Sequence, residues 1–364
     1  MTGRTICILG CGGFIGSHLV DRLLAEGDYR VIGVDKVAAK VAPHLDHRRF
    51  TFVQLDVHNT LALRPYVERS DAVFSLVGLC NPSLYNTIPL DVIDVNFLRP
   101  LEVVKLCAEL DKWLIQFSTC EVYGKTVEHL TGSSGGTGEH PEYRVLNEDT
   151  TPMILGAVGA QRWSYACAKQ LLERTIFAYG FERGLRYTIV RPFNFIGPRM
   201  DYIPGIDGEG VPRVLACFMA ALLEGRPLRL VDGGRSLRSF TYIDDAVDAL
   251  TAMVARAEAA QGRIFNVGNP DNEISIAGLA DMMIALYQEL RGRDGERLYR
   301  VEHVSGREFY GEGYEDSDRR VPDIDKARRL LGWNPRTGLK ETLRRTMRAY
   351  VEQYGRSRAL REAS

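Results

Sequence analysis

Residues 10–16 read Gly-Cys-Gly-Gly-Phe-Ile-Gly and follow an apolar run at Thr5–Leu9. The three glycines at the first, fourth and last of these positions permit a tight turn, close approach of the backbone to a pyrophosphate, and close packing of a helix on a strand. The next apolar run, Arg30–Val34, leads into Asp35, about 20 residues after the glycines, where a carboxylate would hold the hydroxyls of an adenosine ribose. This combination predicts a dinucleotide-binding strand–helix–strand unit.

The acid at position 35 also predicts which dinucleotide is bound. A carboxylate repels a 2′-phosphate, so the sequence favours NAD over NADP. Asp56 follows the third predicted strand and is expected to face the edge of the adenine. The residues predicted to bind NAD are Gly10, Gly13, Phe14, Ile15, Gly16, Asp35, Asp56, Val57, Leu76, Tyr165 and Lys169.

Apolar, β-rich runs alternate with amphipathic helical patterns in the first half of the chain, which is typical of a parallel sheet with helices on both faces. We therefore predict an α/β fold, a doubly wound parallel Rossmann sheet with a smaller α/β lobe that binds the substrate. The predicted strands are Thr5–Leu9, Arg30–Val34, Thr51–Leu55, Ala72–Val77, Trp113–Ser118, Arg186–Arg191 and Arg263–Val267. The predicted helices include Ser17–Glu26, Val92–Leu110 and Ser164–Glu182, with a surface loop at Gly132–His140.

The alternation weakens after residue 192, and the loops lengthen there. We predict that residues 1–192 plus 232–268 form the NAD-binding Rossmann domain. Residues 193–231 plus 269–364 are predicted to form the substrate-binding lobe.

The composition argues against several classes of protein. The formal net charge of -1 argues against binding to nucleic acid or to an anionic membrane surface. No apolar stretch reaches bilayer length, and Met1 leads almost directly into a strand, which leaves no room for a signal peptide. The 7 cysteines lack metal-ligand spacing, so we predict no metal site and reduced thiols in the cytoplasm.

The segment Tyr165-Ala-Cys-Ala-Lys169 places a phenol and an ammonium on one face of a predicted helix. We expect Lys169 and a nicotinamide cation to lower the pKa of the phenol, so that Tyr165 removes a proton from an alcohol. Thr119, at the end of the fifth predicted strand, would hydrogen-bond the substrate oxygen during hydride transfer. The glycine turn, this hydroxyl and the Tyr-x-x-x-Lys pair together resemble the extended short-chain dehydrogenase/reductase family, which implies a homodimer packed through the helix of Tyr165.

Narrower motifs resemble the nucleotide-sugar members of that family. They lie at 191–199, 229–238 and 240–245. In those members the strand at 229–232 lines the uracil and ribose, and the arginine at 238 contacts the diphosphate. The residues that the resemblance assigns to the substrate are Tyr85, Arg162, Asn194, Arg229, Arg235, Arg238, Tyr314 and Arg320.

Two further stretches, at 118–124 and 310–322, resemble the UDP-glucuronate decarboxylases of the polymyxin-resistance type. There, the arginine matching Arg320 meets the region of the substrate carboxylate, and the acid matching Glu121 assists decarboxylation. Cys120 replaces a serine of those enzymes, and Cys80 adds a second thiol after the fourth predicted strand. Both cysteines, with Tyr85, Glu121, Asp316 and Arg320, resemble the plant UDP-apiose/UDP-xylose synthases, a branch of the same family.

The resemblance implies oxidation of UDP-glucuronate at C4 by bound NAD, decarboxylation, and then either reduction to UDP-xylose or ring contraction to UDP-apiose. Ring contraction needs proton shuttles beside C2 and C3, and two thiols with pKa values near neutrality are the expected ones. The predicted catalytic residues are Tyr165, Lys169, Thr119, Cys120, Glu121, Cys80, Asp316 and Arg320.

Three alternatives stay open from the sequence. The first is a UDP-glucuronate decarboxylase that stops at UDP-xylose or at the 4-keto-pentose, and the two cysteines argue against it. The second is a UDP-sugar 4-epimerase, against which Glu121 and Arg320 argue. The third is a non-catalytic NAD-sensing regulator, which would have no reason to keep the Tyr165–Lys169 pair.

Overall fold

A computed structural model describes residues 3–131, 141–204, 208, 211–292, 299–310 and 315–362. The strands are β1 (Thr5–Leu9), β2 (Arg30–Asp35), β3 (Phe50–Gln54), β4 (Ala72–Ser75), β5 (Trp113–Phe117), β6 (Tyr187–Pro192), β7 (Phe195–Ile196), β8 (Leu228–Val231), β9 (Leu237–Ser239), β10 (Thr241–Tyr242), β11 (Arg263–Val267), β12 (Glu273–Ser275), β13 (Val301–Val304) and β14 (Arg319–Arg320). The helices are α1 (Phe14–Glu26), α2 (Thr60–Glu68), α3 (Pro82–Tyr85), α4 (Pro89–Ile93), α5 (Arg99–Glu109), α6 (Thr126–Thr131), α7 (Ser164–Arg183), α8 (Val214–Glu224), α9 (Ile243–Ala255), α10 (Ala257–Ala260), α11 (Ile276–Leu290), α12 (Gly306–Tyr310), α13 (Asp325–Leu331) and α14 (Leu339–Glu362).

A seven-stranded parallel sheet forms the centre of the molecule, in the order β11-β6-β5-β4-β1-β2-β3. The residues from Ile6 to Leu9 are all buried, as expected for a strand with helices on both faces. The strand order reverses between β1 and β4, and ligands of such sheets bind in the crevice at that point, beyond the carboxyl ends of the strands. The predicted doubly wound Rossmann sheet is confirmed.

Helices cover both faces of the sheet. On one face, apolar residues of α1, α9 and α13 pack in one cluster with the strands. On the other face, α2, α5 and α7 contribute to a second cluster, in which Leu172 and Ile176 fasten α7 to the sheet. This packing holds α7, the helix of Tyr165 and Lys169, on a rigid support.

The smaller lobe is built from short strands and three helices. The strand β8 pairs with β13, and β9 pairs with β12 and β14. The helices α8, α11 and α14 share a separate apolar cluster with β8. Within the stretch 232–268, residues 237–239 (β9) thus pair with strands of the smaller lobe, whereas β11 pairs with β6 of the large sheet. The boundaries predicted for the two parts of the chain stay a prediction.

The seven predicted strands agree with the structure within two residues at each end. The single helix predicted at Val92–Leu110 is wrong, because a π-helical turn at Asp94–Leu98 separates α4 from α5. In that turn the buried amide of Asn96 donates to the carbonyl of Val92 at 2.8 Å and to that of Leu79 at 3.0 Å. Side-chain bonds of this kind compete with regular helical bonds. The loop predicted at Gly132–His140 lies outside the described residues.

Within the described part of the chain, no helix has the length and apolar character needed to cross a bilayer.

Candidate active site

The glycine turn between β1 and α1 brings backbone atoms unusually close together. Gly10 has φ +91°, a conformation that side chains with a Cβ rarely adopt. A Cβ at Gly16 would lie 2.2 Å from the carbonyl oxygen of Gly10. Gly13 caps α1 without a side-chain hydrogen bond, so the first N–H groups of the helix are available to a phosphate. This geometry is compatible with the predicted pyrophosphate cradle, which stays a prediction.

The carboxylate of Asp35 lies beside this turn, as predicted. It accepts hydrogen bonds from the N–H of Gly12 at 2.9 Å and from the N–H of Val37 at 3.1 Å. Each oxygen accepts one of these bonds and keeps capacity for a ribose hydroxyl. Asp56 pairs with Lys36 at 2.8 Å, and the hydrogen bond from Lys36 lowers the pKa of Asp56 to about 2.

Tyr165 and Lys169 lie one turn apart on α7, and both are buried. The ammonium of Lys169 donates to the carbonyl of Phe117, at the end of β5, at 3.2 Å. Burial lowers the pKa of Lys169 to about 8. The ring of Tyr165 stacks on the ring of Tyr85, with centroids 5.0 Å apart and planes 14° from parallel. The Tyr165–Lys169 pair is thus buried in α7, and Tyr165 packs against Tyr85.

The expected lowering of the phenol pKa is not produced by the protein alone. Burial raises the pKa of Tyr165 well above its ordinary value, Cys80 and Glu121 add to the increase, and the hydrogen bond with Thr119 opposes it. The lowering by Lys169 and a nicotinamide cation stays a prediction.

Five predicted residues form one buried group of charges, which we call the arginine–carboxylate cluster. Its members are Glu121, Arg162, Arg238, Asp316 and Arg320. Arg162 donates to Glu121 at 2.6 Å and to Asp316 at 3.5 Å. Arg238 donates to Asp316 at 2.6 Å, and Arg320 donates to Glu121 at 3.3 Å and also to Asp316. Three cations face two anions, so the cluster keeps one net positive charge.

The carboxylates of this cluster stay ionised. Burial opposes ionisation of Glu121, but Arg162 and Arg320 outweigh it and hold its pKa below the ordinary value. Burial likewise opposes ionisation of Asp316, yet the three arginines hold its pKa far below the usual range. The Nε–H groups of Arg162 and Arg320 are buried and have no acceptor among the described residues. Two donors and a net positive charge therefore suit an anionic ligand.

Local structure explains how distant segments meet in the cluster. Thr119 accepts the N–H of Glu121 at 3.1 Å and starts the 3₁₀ turn Cys120–Tyr123. Arg162 lies in a 3₁₀ turn immediately before α7. In the smaller lobe, Arg320 of β14 pairs in register with Arg238 of β9. Two cations on neighbouring strands repel each other, and the shared carboxylate of Asp316 offsets this repulsion.

The two cysteines lie near Tyr165, but their predicted acidity is wrong. Burial raises the pKa of the Cys120 thiol, with Arg320 opposing the increase and Glu121 adding to it. The Cys80 residue is open to the cleft, yet the protein atoms around its sulfur still raise its pKa. A pKa near neutrality was expected for both, and burial makes each a neutral thiol at pH 7.

A cleft of about 1430 Å³ lies between the sheet and the smaller lobe. The predicted residues that line it are Cys80, Glu121, Arg162, Asn194, Arg229, Arg235, Arg238, Asp316 and Arg320. Tyr85 and Cys120 are buried, as are Tyr165 and Lys169. Tyr314 lies outside the described residues. The structure thus brings six of the eight predicted substrate residues to one cleft, whereas Tyr85 is buried against Tyr165 and does not line it.

Sequence reasoning missed three residues of this region. Asn96 accepts the N–H of Leu79 at 3.2 Å and so holds the segment that leads to Cys80. Arg213 lines the cleft, binds both oxygens of Asp201 at 2.9 and 2.8 Å, and lowers the pKa of the Cys80 thiol against the effect of burial. The long, weakly patterned segment around 200–213 offered no local signal for these contacts.

Comparisons with known proteins agree with this arrangement. The sequence profile described as "NAD dependent epimerase/dehydratase family" matches residues 6–268. The chain belongs to this family. It is therefore an enzyme, and its cofactor is NAD. The family description names NAD, and this dinucleotide fits the glycine turn, Asp35 and the first turn of α1.

Members with curated names match nearly the whole chain. A UDP-D-apiose/UDP-D-xylose synthase of Oryza sativa is 50% identical over 94% of this chain and 88% of its own length. A UDP-D-apiose/UDP-D-xylose synthase of Arabidopsis thaliana is 49% identical over 96% of this chain and 92% of its own length. The crystal structure of a PbgP3 protein from Burkholderia pseudomallei is 32% identical, has a TM-score of 0.81, and covers 98% of this chain and 99% of its own.

Proposed function

We propose that this enzyme converts UDP-glucuronate to UDP-apiose and UDP-xylose with bound NAD. The observation that carries the proposal is the arginine–carboxylate cluster, which lines the same cleft as Cys80. A neutral sugar would leave the net positive charge of the cluster uncompensated, whereas the carboxylate of a glucuronate would neutralise that charge. The curated names of the relatives that are about half identical support the same two products.

The substrate would lie along the cleft. Arg229 and Arg235 line its outer part and offer forked donors to the uridine diphosphate, while Arg238 links that part to the cluster. Arg162 and Arg320, which both line the cleft, would then bind the sugar carboxylate. For the reaction, C4 of the sugar would have to reach the hydroxyl of Tyr165.

Oxidation at C4 prepares the loss of carbon dioxide. NAD, which the glycine turn and Asp35 would hold, would supply the acceptor for the hydride of C4 and would later give the same hydride back, so that no external reductant would be consumed. Tyr165 takes the proton of the C4 hydroxyl, and Thr119 holds the oxygen. The product is a β-keto acid, and its C5–C6 bond breaks with the electron pair moving into an enolate. The cluster stabilises that negative charge, and a water held by Glu121 protonates C5.

In the ring contraction each thiol would donate its proton, and the thiolate left behind would accept a proton in turn. Loss of the proton of the 2-hydroxyl breaks the C2–C3 bond and leaves an aldehyde at C2 and an enediolate over C3 and C4. Bond formation from C4 to C2 closes the smaller ring and leaves C3 as an aldehyde outside it. Each step moves one proton, which Cys80 or Cys120 would carry, and the raised pKa values of both thiols keep them protonated before the step.

The direct test is to incubate the purified enzyme with UDP-glucuronate and to identify the products by NMR. We expect carbon dioxide release together with UDP-apiose and UDP-xylose. UDP-xylose or a UDP-4-keto-pentose alone would reduce the function to decarboxylation. A UDP-sugar inverted at C4 without carbon dioxide release would contradict the proposal.

We also propose a homodimer, a lyase-type overall reaction and a cytoplasmic location. The helix α7 exposes the large apolar side chains Leu171, Phe177 and Phe181, and Phe181 is 86% exposed. A second copy packed on this surface would cover them. Loss of carbon dioxide is a lyase reaction, and a catalytic role for Cys80 and Cys120 requires a reducing compartment.

A further inference from the structure

A buried ion pair fastens α7 to the sheet behind the oxidation site. Arg191 of β6 is 1% exposed and donates to both oxygens of Glu173, from Nε to Oε1 at 3.0 Å and from a terminal nitrogen to Oε2 at 2.6 Å. Glu173 follows Lys169 by one turn of α7, and neither member of the pair lines the cleft. This pair contacts neither the cleft nor the glycine turn, so substrate binding does not account for it.

The guanidinium of Arg191 is also held from two other segments. Its other terminal nitrogen donates to the hydroxyl of Tyr123 at 2.8 Å and to the carbonyl of Glu148 at 3.4 Å. The hydroxyl of Tyr123 in turn donates to the side-chain oxygen of Asn266 at 2.9 Å. Burial acts against the charge of Arg191, but Glu173 and Tyr123 outweigh it and raise its pKa. Arg191 therefore stays charged and keeps its position.

Without Arg191, the carboxylate of Glu173 would have one obvious new partner. Residues four apart on a helix are neighbours, and Lys169 and Glu173 have that spacing. The titratable groups that act on Lys169 are Cys80, in the segment after β4, and Glu173 on its own helix. Its ammonium now donates to the carbonyl of Phe117 instead. A buried carboxylate that has lost its cation takes the nearest one.

We propose that Arg191 is a positioning residue for the oxidation site: by binding both oxygens of Glu173, it prevents Glu173 from pairing with Lys169 and leaves the ammonium bonded to the carbonyl of Phe117, at the end of β5. This inference rests on the proposed oxidation by Tyr165 and Lys169. It assigns Arg191 no contact with the substrate.

Three variants test the proposal: Arg191→Met, Glu173→Gln, and the double variant. In Arg191→Met, we expect the single-turnover rate of NADH formation from UDP-glucuronate to fall by on the order of tenfold. The apparent pKa of the acid limb of its pH–rate profile should rise by about one unit. The freed carboxylate neutralises the Lys169 ammonium, so Tyr165 loses its assistance and needs a higher pH. The double variant removes that carboxylate and should recover the rate and the profile, and Glu173→Gln should keep both near wild type.

A purely structural role would give a different pattern, because the double variant lacks the pair altogether. If the double variant is as slow as Arg191→Met and has the same pH profile, the proposal is overturned. Where Arg191→Met does not fold, Arg191→Lys replaces it. Its ammonium binds one oxygen of Glu173 rather than two, so we expect a smaller shift in the same direction, and no shift would overturn the proposal.

A second measurement separates this inference from the proposed function. NMR titration of isotope-labelled lysines in the enzyme–NAD complex, without substrate, reports the pKa of Lys169 directly. We expect this pKa to rise in Arg191→Met and to return in the double variant. An unchanged pKa contradicts the role of Arg191, whereas a wild-type enzyme that forms no NADH from UDP-glucuronate contradicts the proposed function alone.

Discussion

The arginine–carboxylate cluster allows a quantitative prediction for Asp316→Asn. The carboxylate of Asp316 accepts from Arg238 at 2.6 Å, from Arg162 at 3.5 Å and from Arg320. The side chains of these arginines are at most 8% exposed. Asparagine keeps the shape but turns an amide donor toward the guanidinium donors, and the net charge of the cluster rises from one to two.

Breaking a buried ion pair costs roughly 3–5 kcal/mol. The side chain of Asp316 keeps 24% of its exposure, so we expect the lower end, about 3 kcal/mol of unfolding free energy. Asp325→Asn is the matched control, because Asp325 is 80% exposed and pairs with Arg328 on the surface at 3.1 Å. Such a pair contributes at most about 1 kcal/mol.

The assay is urea unfolding with the same saturating NAD for every variant, since a ligand of the folded state changes its stability. Adding UDP-glucuronate should restore more stability to Asp316→Asn than adding UDP-xylose, because only the former brings a carboxylate to the cluster. A loss for Asp316→Asn no larger than that for Asp325→Asn would refute the reasoning from the buried cluster. Equal stabilisation by UDP-glucuronate and UDP-xylose would contradict the claim that the cluster binds the sugar carboxylate.

Four other outcomes follow from the site. Tyr165→Phe should lower NADH formation by at least about 100-fold while its melting temperature stays near wild type, and a near-normal rate would exclude Tyr165 as the base. Cys120→Ser and Cys80→Ala should shift products toward UDP-xylose by NMR, and an unchanged ratio contradicts a role for the thiols. The pKa of Glu121 is lower in the folded than in the unfolded state, so the ionised carboxylate stabilises the fold above about pH 4.3, and this contribution is lost as the pH falls. In Glu121→Gln, the loss of stability with falling pH, followed by circular dichroism, should therefore be less steep than in the wild type. Phe181→Glu should give a monomer by light scattering, and a persistent dimer would argue against packing through α7.

Much of the fold was predictable because its signals are local. A buried parallel strand needs a continuous apolar run of about five residues, and β1 and β11 have the predicted bounds. The glycine turn was predictable for the same reason, since the close approach of Gly16 to Gly10 involves residues six positions apart. The helix at 92–110 was predicted wrongly because the π-helical turn depends on a bond from Asn96 to Leu79, in another segment.

The chemistry of the site depended far more on long-range contacts. Resemblance to known enzymes named Glu121 and Arg320, but not their mutual contact, which joins residues 199 positions apart. It named Cys80 and Cys120, yet their acidity was predicted wrongly, because a thiol pKa depends on burial and on neighbouring charges. The support of α7 by Arg191 had no local signal of any kind.

The Rossmann sheet, the cofactor turn and the pairing of Tyr165 with Lys169 on one helix can be inferred from the amino-acid sequence, because each arises from residues that are near one another in the chain. Which charges share the cluster, and which side chains are protonated, depends on the folded arrangement. The reason is electrostatic: the free energy of a buried charge is set by every group that the fold brings near it, whatever its distance along the chain.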